Sequence, residues 1–251
     1  MSGGLVRSLL LLFLAAASEP GAAGAPAYLD APAISGYDLL PAGFTVEFWV
    51  RTESKPGFDP RIIHCVNADP GPAAYEGSAQ WALFICNLSD CAPGTVLFEV
   101  GSHGESHYIA STLRVDDGGF HHVAGTYDGK ALRLLVDGTV QAESPLIGFQ
   151  VHVGGGRIVI GNAADHRNAF DGMVDELRIW RTARSAEEIR SSMEAGYGKA
   201  PPGVTGYWPL DGDGADRSGN DNPLHPHNAV VFPEGRLGRG ADVVNADPVK
   251  G

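Results

Sequence analysis

The stretch from Gly119 to Glu143 constrains this chain more than any other. It holds three short extended runs separated by two Asp-Gly steps, Asp128-Gly129 and Asp137-Gly138. Each step supplies the positive φ that a tight hairpin turn demands, because glycine lacks the Cβ that would clash there. Between the turns, Leu132, Leu134 and Val136 alternate with Ala131, Arg133 and Leu135. That period of two is what a strand with one buried face requires. The stretch therefore predicts an antiparallel meander and excludes a pair of helices.

The rest of the chain repeats the pattern. Phe44, Val46, Phe48 and Val50 share one face of a run, and Thr45, Glu47, Trp49 and Arg51 share the other. Further extended pieces are expected at Tyr28–Asp30, Tyr37–Leu40, Arg61–Val66, Gln80–Ile85, Thr95–Val100, His107–Ala110, Arg157–Ile160, Met173–Trp180 and Val204–Leu210. The 34 glycines and 17 prolines supply turns between them. Strands at this spacing predict an all-β chain folded as a two-sheet antiparallel jelly-roll sandwich. One helix is expected. Ser185 and Glu188 form a capping box, Ile189 and Met193 recur at helical spacing, and Gly196 stops the run. So short a helix has to lean on a sheet to persist.

Residues 1–25 stand apart. Arg7 precedes the apolar run Leu9–Ala17, which is too short to span a bilayer, and small residues follow. This is the layout of a secretory signal peptide, so an extracellular location and a mature chain without a membrane span are expected. The domain is expected over 26–232, with a closing strand and linker motif in 196–232 after the break at Pro201-Pro202. Residues 233–251 are weakly patterned and expected to be partly disordered. The net charge of −12 excludes the basic footprint of a nucleic-acid binder; it suits solubility or a cation site. Of the three cysteines, Cys86 and Cys91 flank a turn-like segment and are the favoured disulfide, with Cys65 free. A Cys65–Cys86 bridge across neighbouring strands is the alternative. Asn87-Leu88-Ser89 is the N-glycosylation sequon.

Taken together, the segments Phe44–Val50, Phe120–Gly129, Leu134–Gly138, Ile160–Asn162 and Phe170–Trp180 resemble the LamG-like jelly-roll domain. That domain belongs with the concanavalin A-like lectins and glucanases and is similar to pentraxin and laminin G modules. The resemblance covers roughly Tyr28 to Asn228 and includes the helix after Trp180. It implies a secreted sandwich that often binds sugars or glycoconjugates. It does not fix a function, because the fold hosts both enzymes and binding modules.

The residues argue for binding. Retaining glucanases of this superfamily place carboxylates at alternate strand positions, so that two lie roughly 5 Å apart on one face. Here Asp175 and Glu176 are adjacent, with Met173 and Leu177 beside Asp175. No catalytic residues are assigned, and a glycan-cleaving hydrolase is kept only as an alternative. Calcium is the candidate cofactor, since hard cations want clustered carboxylate and amide oxygens from loops. In pentraxins the loop at this position supplies calcium ligands, which makes Asn162 and Asp165 the corresponding residues, with Glu76 and Asp175 as further contributors. Ala163 and Ala164 stand where pentraxins carry more carboxylates, and no cysteine matches the pentraxin disulfide. Asn and Asp also cap turns, which is the simpler role for these residues. The acidic stretch Asp211–Asn222 fails as a calcium-binding EF-hand loop: Ala215, Asp216 and Asn222 stand where a ligand, a glycine and a glutamate belong. His121 and His122 sit side by side in a strand, so their side chains diverge and do not share a metal. Phe58 and Tyr75 lie in loops and are the candidate ligand-binding aromatics, whereas Trp49, Trp81, Trp180 and Trp208 belong to strands. The expected function is a secreted, non-catalytic module that recognises a carbohydrate or an extracellular glycoprotein through rim loops. A structural or adhesive domain of a larger assembly is a further alternative.

Overall fold

A computed structural model describes residues 27–31, 43–53, 60–67, 79–86, 91–102, 105–146, 149, 151, 156–161 and 169–243. Its strands, in order, are β1 (Tyr28–Ala31), β2 (Phe44–Arg51), β3 (Arg61–Asn67), β4 (Ala79–Ile85), β5 (Thr95–Ser102), β6 (Glu105–Arg114) and β7 (Phe120–Tyr127). There follow β8 (Ala131–Val136), β9 (Thr139–Pro145), β10 (Gly156–Ile160), β11 (Met173–Trp180), the helix α1 (Ala186–Ser192), β12 (Val204–Trp208), β13 (His225–His227) and β14 (Ala241–Asp242). The predicted piece Tyr37–Leu40 lies outside the described residues.

The strands form two antiparallel sheets. Sheet I runs β13-β1-β10-β3-β4-β5-β6, and sheet II runs β12-β11-β2-β7-β8-β9 with β14 also on β11. This is the jelly-roll sandwich that the alternation predicts. The central meander is β7-β8-β9. Its second turn has Asp137 at φ 51° and Gly138 at φ 69°, the paired positive values that match the twist of the flanking strands. No helix among the described residues is long and apolar enough to cross a membrane.

The core lies between the sheets. Phe44, Val46, Phe48 and Val50 of β2 join Trp81, Leu83 and Ile85 of β4 and Val96, Phe98 and Val100 of β5 in one buried cluster. Each such side chain contributes roughly 1.5–3 kcal/mol by leaving water. Gly125 is a glycine for a packing reason: a Cβ there would stand 2.7 Å from the Phe98 ring.

Helix α1 begins as predicted. The Ser185 hydroxyl accepts from the Glu188 N–H, and the Glu188 carboxylate accepts from the Ser185 N–H. Its one buried residue, Ile189, packs on Ala124 and Leu135, on the side of sheet II that faces away from the core. The C-terminal residues visit both sheets. β13 extends sheet I beside β1, whereas β12 and β14 pair with β11 in sheet II. Residues 233–243, weakly patterned in sequence, are held by backbone pairing: Val231 bridges to Asp242 and Glu234 to Arg239. Few apolar side chains are needed for that, which is why the pattern is faint. Residues 244–251 lie outside the description. Cys86 and Cys91 form the disulfide, and Cys65 is free and buried.

Candidate functional site

The two outward faces of the sandwich are built for different purposes. On sheet II, both faces of β2 are buried, because α1 and the turn after it cover the polar side. Glu47 sits at its centre, fully buried. Its Oε1 accepts from the Trp180 indole at 2.8 Å and from the Arg184 guanidinium at 2.9 Å. Arg184 also stacks on Trp180 and donates to the Glu188 carbonyl, tying the helix to the sheet. Arg178, equally buried, donates to Glu176 at 2.6 Å and to the Ser192 and Ala195 carbonyls. The Tyr207 hydroxyl donates to Glu176, and Trp49 donates to the Met193 carbonyl. Burial pushes the Glu47 carboxyl above its ordinary range, against the pull of Arg184 and Arg178. Burial, then the same two arginines, hold His122 neutral with a pKa of about 3. Every charge here is answered from within the chain and shut off from solvent, so this face anchors the helix.

The outward face of sheet I is assembled from seven strands. Register pairs His225 with Asp30, Asp30 with Val159, Val159 with His64, His64 with Ala82, Ala82 with Glu99 and Glu99 with Tyr108. Directly paired residues share a face, so these seven form one row across the whole sheet. At strand spacing it runs about 28 Å. The alternate residues Leu29, Ile158, Cys65, Trp81 and Phe98 belong to the core, which fixes the row as outward. A bulge at Ile62-Ile63 turns both isoleucines inward, and so sets Arg61 and His64, three apart, on the same outer face.

Around the row lie charges and rings. Arg157 donates to Asp30 at 2.6 Å, and His227 meets the other Asp30 oxygen at 2.6 Å while stacking on Tyr28. Arg61 makes one long contact to Glu99, 3.4 Å, and lies over the Phe84 ring. Phe84, Leu97, Ala82 and Cys86 form a small apolar cluster beside the polar row. Tyr108 at the far end is 44% exposed, while Trp49, Trp81, Trp180 and Trp208 are buried as their strand positions predict. His64 is buried, and its Nδ1 has no partner. Burial, then Arg61 and Arg157, lower its pKa to about 3, so it is a neutral imidazole.

Phe58, Tyr75, Glu76, Asn162 and Asp165 lie outside the described residues. Asp175 lies within them, in a role the sequence did not suggest. It is fully buried on β11, and its Oδ2 accepts from the Arg236 and Leu237 N–H groups at 2.7 and 2.9 Å. That carboxylate holds the 235–240 turn on the sheet, and its other oxygen is buried without a partner. Such an arrangement does not suit a loop ligand for calcium. Among the described residues no three His, Cys, Asp or Glu side chains gather as metal ligands. In the acidic stretch after β12, Asp216 accepts from the N–H groups of Tyr207, Ser218 and Asn222, so it organises a connecting turn. His122 is packed, whereas His121 bridges Asp137 at 2.8 Å and Asp117 at 3.1 Å, as divergent neighbours on a strand must.

The family model of the concanavalin A-like lectin/glucanases superfamily matches residues 24–190. The chain belongs to that superfamily. No curated protein sequence matches it. Among solved structures, a protein from Bacteroides ovatus proposed to bind carbohydrate is similar at a TM-score of 0.59 and 18% identity, over 88% of this chain. This superfamily member spans 58% of that protein's length. The native heptameric SAP-like pentraxin from Limulus polyphemus is similar at a TM-score of 0.51 and 14% identity, over 82% of this chain and 97% of the pentraxin. At these identities the likeness establishes the shared sandwich.

Arg61, His64, Glu99 and Arg157 were not singled out by sequence reasoning. They come from three strands, β3, β5 and β10, and only the register and the bulge in β3 bring them together. The doubled Ile62-Ile63 was the one local sign, since two consecutive core residues interrupt a period of two.

Proposed function

We propose that this chain is a secreted, non-catalytic module that binds carbohydrate on extracellular glycoconjugates. The observation that carries the reading is the cross-strand row from His225 to Tyr108. Sugar recognition pairs oriented hydrogen-bonding groups with apolar or aromatic surface. Here the partly exposed Arg157 and His227 lie near Tyr28, with the exposed Tyr108 at the far end of the row. Membership of a superfamily that includes lectins supports it, as does the likeness to a protein proposed to bind carbohydrate. Non-catalytic action is favoured because Glu47, Asp175 and Glu176, the buried carboxylates of sheet II, are each engaged by protein donors. Secretion rests on the leader-like residues 1–25 and agrees with the Cys86–Cys91 bridge.

Calcium enters this proposal through Glu76, Asn162 and Asp165 alone, with Phe58 and Tyr75 as loop aromatics, since Asp175 serves the C-terminal turn. A glycan array probed with and without a chelator tests both parts. Retained glycans in both conditions support binding and remove calcium, and loss on chelation supports both. No glycan retained in either condition overturns the proposal.

A further inference from the structure

On the outward face of sheet I, an otherwise acidic chain gathers cationic and imidazole groups. Arg61 and Arg157 flank His64 along the strands. Arg61 lies on β3 itself, three residues before His64, and Arg157 lies on β10, opposite Val66. Both guanidinium side chains reach the surface, at 18% and 39% exposure, whereas His64 beneath them is 2% exposed. Arg61 and Arg157 thus stand on opposite sides of His64 along the strands. Each arginine has a carboxylate on its far side from the other, Glu99 for Arg61 and Asp30 for Arg157. Among the described residues no carboxylate pairs with His64, and its Nδ1 is a buried polar atom without a hydrogen-bond partner. Leaving such an atom unmade costs free energy that a ligand can recover.

We infer that Arg61, His64 and Arg157 form a subsite for the carboxylate of an acidic sugar. The inference rests on the carbohydrate-binding reading and narrows it to anionic glycans. Arg157 keeps its Nε and Nη2 on Asp30 and has Nη1 left to donate, and Arg61 can turn from Glu99. Between them the unpartnered His64 Nδ1 supplies a third donor in the tautomer that protonates it. Phe84, buried under Arg61, holds that guanidinium in place from the sheet side. The single 3.4 Å contact between Arg61 and Glu99 is weak enough for Arg61 to exchange partners. His64 is neutral chiefly because it is buried, with Arg61 and Arg157 adding to the effect, so it offers a neutral imidazole to a ligand.

The test is calorimetric titration of the full chain with two hexasaccharides. One alternates glucuronate with N-acetylglucosamine; the other is neutral and built of N-acetylglucosamine alone. The expected result is binding of the acidic probe that weakens with salt, and that falls about ten- to a hundredfold in Arg61→Ala and Arg157→Ala. Arg61→Lys keeps the charge but loses the fork, and is expected to recover only part of the affinity. Arg133→Ala, on the other sheet, is expected to leave binding unchanged, and thermal melts verify that each variant folds. In His64 side-chain NMR, the acidic probe is expected to shift the Nδ1 resonance as that nitrogen gains a hydrogen-bond partner, whereas the neutral probe leaves it in place. Equal affinity for the two probes, or acidic binding indifferent to Arg61 and Arg157, overturns the inference while leaving glycan binding standing. Failure of both probes, together with an empty array, defeats both proposals.

Discussion

The two outward faces carry similar residue types and use them in opposite ways. Sheet II gathers Glu47, Arg178, Arg184 and Glu176 under a helix, and each finds its main partner inside the chain. Sheet I spreads Asp30, His64, Arg61, Glu99 and Arg157 over separate strands, where their contacts are fewer and several reach the surface. A buried ion pair is hard to disturb, because removing one partner strands the other in a medium of low dielectric. On sheet I the carboxylates Asp30 and Glu99 are nearly buried too, but Arg157 and His227 are 39% and 40% exposed, which weakens their hold through solvent screening. Charge in the first setting fixes architecture; in the second it is paired within the sheet but keeps cationic side chains partly open to solvent.

The largest break in this contrast is Glu47→Ala. It leaves Arg178 and Arg184 buried without their shared carboxylate and takes the acceptor from Trp180. A loss of about 3–5 kcal/mol in urea unfolding is expected; a loss under 1 kcal/mol would mean that this face is as tolerant as the other.

Asp175→Asn is expected to act through pH. Burial, with the Glu176 charge adding to it and the 236–237 amides opposing, raises the Asp175 carboxyl from 3.8 to about 7. Between those values the native chain holds a proton that the unfolded chain releases. Stability contributed by the protonated form is therefore lost as pH rises from about 4 through about 7. The asparagine cannot ionise, so its stability relative to the parent should climb between pH 5 and pH 8, by an amount on the order of a few kcal/mol. Parallel unfolding midpoints for the two proteins across that range would contradict this.

The smallest effect sharpens the contrast. Arg61→Ala on sheet I should cost about 1–3 kcal/mol, less than Glu47→Ala, because its 3.4 Å contact is long but the nearly buried Glu99 loses its cation. A folded variant with a smaller stability loss than Glu47→Ala, beside impaired acidic-glycan binding, separates a recognition residue from an architectural one.

Much of the fold was legible because its signals are local. The Asp-Gly turns, the alternation in β2 and the Ser185–Glu188 box each act within a few residues, and each forms in the structure. What covers a strand is not local. Thr45, Glu47 and Trp49 read as the second face of β2, but whether that face is wet depends on α1, more than 130 residues away by the Trp180–Glu47 contact alone. The outer row on sheet I is still less local, since Asp30, His64, Glu99 and His225 meet only through register. Asp175 was noticed as an acidic residue near a loop, yet its work is set by amides some sixty positions later.

The last stretch of chain finishes both sheets, laying β13 against β1 and then β12 and β14 against β11. β12 and β13 are edge strands of five and three residues. Peeling the stretch away would put the eight-residue β11 and the four-residue β1 at the edges instead, where a longer open flank recruits strands from other molecules. The closing segment is therefore a safeguard against self-association as much as a contributor to folding.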